Sequence, residues 1–125
     1  MPIKVLLVDD AQDFVNYMKK RLVARGIEIW TAYNGQDGLD IVKKETLDVV
    51  VLDVLMPGID GLETLQEIKK IKPDLQVIML TGHGTVETTA EGMKLGATDF
   101  LLKPCDFDTL LNSIQSAYEK NHPNP

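Results

Sequence analysis

Five short apolar runs recur along this chain at intervals of a little over twenty residues, and stretches of helical periodicity separate them. The runs begin at Lys4 (Lys4-Val5-Leu6-Leu7-Val8), Glu28 (Glu28-Ile29-Trp30-Thr31-Ala32), Asp48, Gln76 (Gln76-Val77-Ile78-Met79-Leu80) and Asp99 (Asp99-Phe100-Leu101-Leu102). Between them Phe14, Met18 and Leu22 recur every fourth residue and Leu62, Leu65 and Ile68 every third. Leu110, Leu111, Ile114 and Tyr118 keep the same helical spacing, and weaker helices are expected over 36–44 and 86–95. The run Val49-Val50-Val51-Leu52 is apolar without alternation and largely β-branched, as befits a strand buried on both faces. Strands that alternate with helices imply right-handed crossovers and a parallel sheet covered on both sides. For a chain of this length the pattern predicts an α/β, flavodoxin-like, doubly wound sandwich with five strands in the order 2-1-3-4-5.

Local signals agree with these periods. Asp10, Asn34, Asp60, Thr85 and Asp106 stand where helices should start, and Asp60 with Glu63 has the spacing of a capping box. Gly26, Gly96 and Pro73 stand where helices should stop. Trp30, Met79 and Met93 are expected to be packing residues.

With 125 residues and 44% hydrophobic content the chain has the mass of one domain, expected over residues 1–120, with 121–125 a flexible tail or the start of a linker. A net charge of −6 without a basic block disfavours direct nucleic-acid or anionic-membrane binding. No apolar stretch approaches bilayer length, no basic and apolar leader follows Met1, and Cys105 is alone. These features point to a cytoplasmic protein without a disulfide framework.

The chemistry gathers at the carboxyl ends of the runs. Asp9 and Asp10 follow the first, Asp53 follows the third, Thr81 ends the fourth and Lys103 follows the fifth. If the first and third strands are neighbours, three carboxylates meet at one edge, and a hard divalent cation such as Mg²⁺ would relieve their repulsion. A carboxylate nucleophile, a metal, a hydroxyl and an ammonium together suit phosphoryl transfer through an aspartyl phosphate. Taken singly, Asp10 could be only a helix cap, Lys103 a surface lysine and Thr81 a turn hydroxyl. Their joint placement favours the functional reading.

Val8-Asp9-Asp10, the run from Leu52 to Gly61, Leu80-Thr81-Gly82 and Leu102-Lys103-Pro104 resemble the four signatures of the receiver domain of two-component response regulators, in order and over nearly the whole chain. The resemblance implies that Asp53 accepts a phosphoryl group from the phosphohistidine of a sensor histidine kinase. It implies that Asp10, Asp53 and the carbonyl of Leu55 hold Mg²⁺, with Asp9 assisting through water. Thr81 and Lys103 would bind phosphoryl oxygens, Thr81 and Phe100 would form a switch, and the Lys103-Pro104 bond would be cis. Output would run through the fourth helix, fifth strand and fifth helix to a partner or output domain, often by homodimerisation. The wording around Leu80 to Ala97 is most similar to receivers of the nitrogen-regulator class of transcriptional activators.

Leu55 and His83 stand where family members tune phosphoryl lifetime, and an apolar Leu55 suggests slow loss. His83 itself is not expected to be a metal ligand, since no His/Cys cluster accompanies it. Two alternatives compete. One is an aspartyl-phosphate phosphatase or phosphotransferase, disfavoured because such enzymes commonly carry a second Asp where Leu55 stands. The other is a pseudo-receiver that binds partners without being phosphorylated. A flavin carrier is disfavoured by the acidic loop Asp9-Asp10-Ala11-Gln12-Asp13, where a phosphate cradle would be glycine-rich.

Overall fold

Residues 2–54, 60–82 and 86–123 are described by a computed structural model, with the backbone alone at Val86. Strands β1 (Lys4–Val8), β2 (Glu28–Ala32), β3 (Val49–Leu52), β4 (Gln76–Thr81) and β5 (Asp99–Leu102) alternate with helices α1 (Gln12–Ala24), α2 (Gly35–Lys44), α3 (Gly61–Ile71), α4 (Val86–Lys94) and α5 (Phe107–Asn121). All neighbouring strands pair in parallel, and the sheet order is β2-β1-β3-β4-β5. The α/β fold class and strand order expected from the sequence are thus found.

The pleat divides the core in two. Leu6, Val8, Val50, Leu52, Val77 and Met79 point to the face covered by α2 and α3, where they meet Leu39, Val42, Leu65 and Ile68. Val5, Leu7, Val49, Val51, Ile78 and Leu80 point the other way, to Val15, Met18 and Leu22 of α1 and Leu110, Leu111 and Ile114 of α5. Successive strand residues serve opposite faces, which is why β1, β3 and β4 read as unbroken apolar runs. Burying a side chain of this size contributes about 1.5–3 kcal/mol.

Asn34, Asp60 and Asp106 cap α2, α3 and α5 by accepting hydrogen bonds from the backbone N–H groups of Asp37, Glu63 and Thr109, each at 2.8 Å. Asp10 is not a cap: Ala11 precedes α1, and no side-chain bond closes that end. Thr85 lies outside the described residues. Gly26 and Gly96 adopt φ values of +83° and +106° just past α1 and α4, which an L side chain resists.

Met93 corrects another expectation, being 46% exposed. Gly92 is the residue α4 turns toward the sheet, with room for a Cβ only 3.7 Å from Met79, so the next side chain swings out to solvent. Trp30 and Met79 pack as expected. No described helix is long and apolar enough to cross a membrane.

The Asp106 cap has a pH signature. The Thr109 backbone N–H, and then its side chain, hold the Asp106 carboxyl below the usual carboxylate range. Because the folded value is depressed, the cap's contribution is present above the unfolded value and is lost as pH falls through the folded one. Asp106→Ala is expected to lower the melting temperature at pH 7 by about 4 °C. Repeating the melts at pH 3 should narrow the gap, and an equal gap at both values would show that the carboxylate charge is irrelevant there.

Candidate functional site

Register brings the acidic residues together. Val8 pairs with Leu52 across β1 and β3, so Asp9 and Asp53 are each the first residue beyond a paired strand end. Their backbones continue the ladder, with the Asp9 N–H donating to the Ala32 carbonyl at 3.0 Å and the Asp53 N–H to the Val8 carbonyl at 2.9 Å. Asp9, Asp10 and Asp53 each offer a carboxylate oxygen, and the three oxygens lie within 4.8 Å of one another. Asp9 is 1% and Asp53 6% exposed, whereas Asp10 is open to solvent.

A cation reaches this cluster from the end of the edge strand β5. Thr81 pairs with Leu102, and the Lys103 N–H donates to the Thr81 carbonyl at 2.8 Å, which fixes the start of the lysine just beyond β5. The Lys103-Pro104 bond is cis. Lys103 Nζ donates to Asp9 Oδ2 at 2.6 Å and stands 3.8 Å from Asp53 Oδ2. The other Asp9 oxygen accepts from the Ala11 N–H at 2.9 Å, so this carboxylate is held at both ends. Thr81 is fully buried at the end of β4.

The structure therefore brings Asp9, Asp10, Asp53 and Lys103 into one cluster and sets Thr81 on the strand end beside it. Phe100 pairs with Met79, two residues before Thr81 on the same strand, and packs half-buried on the α2 and α3 face of the sheet. Leu55, Met56-Pro57-Gly58, His83 and Gly84 lie outside the described residues. Three carboxylates against one ammonium leave two formal negative charges, which an oxygen-liganded divalent cation would cancel.

Two contacts were not anticipated from the sequence. Gly61 opens α3 directly against the backbone of Asp53 and Val54: its N–H donates to the Val54 carbonyl at 2.8 Å, and a Cβ there would fall onto the Asp53 carbonyl oxygen and Val54 Cα. Phe14 leaves the α1 core row formed by Val15, Met18 and Leu22 and places its ring 4.5 Å from Lys103 Nζ. Its position one turn before Met18 signalled only a helix, because periodicity cannot see a residue from the far end of the chain. Cys105, next to the cis bond, is half-buried, and burial with the adjacent Asp106 charge pushes its thiol up, so it stays protonated.

The doubly wound fold and the acidic pocket at its carboxyl edge define a class of phosphoacceptor-like signalling domains. The chain belongs to the response regulator receiver domain family, whose model matches residues 5–115. It is 37% identical over 115 residues to the transcriptional regulatory protein ZraR of Salmonella typhimurium, covering 92% of this chain and 26% of that one. Among solved structures, a CheY-like receiver domain protein from Methanospirillum hungatei superposes with a TM-score of 0.95 at 25% identity, covering 98% of both chains. A receiver domain protein from Clostridium thermocellum superposes at 0.91 with 36% identity, covering 96% of this chain and 97% of that one. The chain spans about a quarter of the length of the curated relatives it matches.

Proposed function

We propose that Asp53 is the phosphoacceptor of this receiver, taking its phosphoryl group from the phosphohistidine of a sensor histidine kinase. The observation that carries the reading is the meeting of Asp9, Asp10 and Asp53 with the Lys103 ammonium at one sheet edge. In the transfer an Asp53 carboxylate oxygen bonds to phosphorus as the bond from phosphorus to the donor imidazole nitrogen breaks. The electron pair stays on that nitrogen, and an acyl phosphate results. Charge then collects on the phosphoryl oxygens, where Lys103 donates from one side and the Thr81 hydroxyl from another.

Asp10 and Asp53 would hold Mg²⁺ directly and Asp9 through water, with the Leu55 carbonyl completing the set. When bound, the cation supplies positive charge that lets an anionic phosphodonor approach three carboxylates. The protein in this reading is a switch with self-dephosphorylation at most, not a turnover enzyme.

Phosphorylation would be read out through Thr81 and Phe100. Phe100 faces the same side of the sheet as Met79 and hence as Thr81, so a movement of the threonine can reach it through one packed surface. The receiving surface would be α4, β5 and α5, acting on an output domain or partner, or on a second copy. Similarity to transcriptional regulators several times longer supports a cytoplasmic role in transcription control, with the receiver itself not touching DNA.

Incubation with Mg²⁺ and phosphoramidate, followed by intact-mass measurement, tests the proposal. One added phosphoryl group is expected, and none when the cation is chelated. A folded protein that gains no mass under either condition would overturn the assignment and favour a pseudo-receiver.

A further inference from the structure

Lys103 has a long flexible stem, and its strongest contact, to Asp9 at 2.6 Å, draws its ammonium away from Asp53 at 3.8 Å. A closer carboxylate on the side away from Asp53 would hold it more firmly but would also trap it. The Phe14 ring, 4.5 Å from Nζ, offers a different attraction. An aromatic face draws a cation through its quadrupole, takes up no N–H donor and adds no competing anion. The ammonium can thus turn from Asp9 toward Asp53 without leaving the ring.

Phe14 is itself held against the α1 and α5 core cluster. Two turns later the Arg21 guanidinium packs over both Tyr17, at 5.5 Å, and Phe107, at 4.7 Å, tying α1 to α5. A cleft of about 380 Å³ lined by Phe14, Tyr17, Met18, Lys103, Pro104 and Cys105 opens beside the ring.

We propose that Phe14 is a positioning residue that acts through Lys103, presenting its ammonium to the oxygens of a phosphoryl group arriving on Asp53. The inference rests on the phosphoacceptor reading above. In the reaction tested, the Asp53 oxygen–phosphorus bond forms as the phosphoramidate P–N bond breaks, the nitrogen keeping the electron pair and taking a proton from water.

The full chain, Phe14→Leu, Phe14→Tyr, Lys103→Ala and the Phe14→Leu, Lys103→Ala double variant are compared for phosphorylation rate at saturating phosphoramidate and Mg²⁺. Melting curves verify folding, and calorimetry gives Mg²⁺ affinity. Phe14→Leu is expected to slow phosphorylation about threefold to tenfold. Phe14→Tyr should restore the rate to within about twofold, because it keeps the ring. In the Lys103→Ala background the Leu substitution should have no further effect, since the group it acts through is gone. Mg²⁺ affinity should stay the same in the single Phe14 variants.

An unchanged rate in Phe14→Leu would overturn the inference. So would failure of Tyr to rescue, an equal loss in the Lys103→Ala background, or a loss of Mg²⁺ affinity that accounts for the slower rate. If the unsubstituted chain takes no phosphoryl group, the phosphoacceptor reading fails and takes this inference with it. A phosphorylated parent with an indifferent Phe14→Leu sinks this inference alone.

Discussion

Asp53→Asn is expected to abolish phosphoryl acceptance and, in the same molecule, to raise thermal stability. The loss follows from chemistry: a carboxamide oxygen is a poor nucleophile, and Asp9 and Asp10 hold different positions at the edge. The gain follows from the geometry of three carboxylate oxygens within 4.8 Å of one another, of which those of Asp9 and Asp53 share the Lys103 ammonium. Removing one negative charge from a largely buried cluster relieves repulsion by about 1 kcal/mol, an increase of about 4 °C in melting temperature for a chain of this size. Melts in the presence of a chelator would measure it. Adding Mg²⁺ should raise the melting temperature of the unsubstituted chain more than that of the Asn variant, because a ligand stabilises only the state that binds it. If the variant melts lower than its parent, the cluster is not under electrostatic strain. If it still gains a phosphoryl group, the nucleophile lies elsewhere.

Gly61→Ala is expected to be strongly destabilising, because among the described glycines Gly61 is the one where an added Cβ would fall within 3.0 Å of backbone atoms. Its Cβ would overlap the Asp53 carbonyl oxygen and Val54 Cα, and neither backbone atom can step aside as a side-chain tip can. Relief requires α3 to withdraw from the end of β3, at an expected cost of about 2–3 kcal/mol, or a fall of about 8–12 °C in melting temperature. Phosphorylation by phosphoramidate should slow as well, since the backbone that must shift carries Asp53, the proposed phosphoacceptor. Gly38→Ala is the matched control. There a Cβ meets the Val8 Cγ2 methyl at 3.0 Å, a side-chain contact, and the better helix propensity of alanine offsets part of the crowding by up to about 1 kcal/mol. Equal melting of the two variants would show that the approach of α3 to Asp53 has no special closeness.

The strands were legible because β1, β3 and β4 are buried on both faces, so their apolar runs needed no tertiary information to be seen. The cores of the helices were legible for the same reason, through the spacing of Met18 and Leu22 or of Leu65 and Ile68. Local rules failed where a residue's neighbours come from elsewhere. Asp10 has the composition of a helix cap, yet the carboxylate turned to the start of α1 is that of Asp9, while Asp10 joins a cluster with Asp53. Met93 has the composition of a core residue, yet α4 approaches the sheet through Gly92.

The five α/β repeats, the fold class and the residue types at the strand ends could be read from the amino-acid order alone, because each depends on hydrophobic period and on chemistry carried within a few residues. That Lys103 rests on Asp9, that the Phe14 ring stands beside that ammonium and that Gly61 crowds the backbone of Asp53 came from the folded chain. Separation along the chain accounts for the difference: Lys103 and Asp9 are 94 residues apart, and their distance is set by strand register and crossover, which no local pattern encodes.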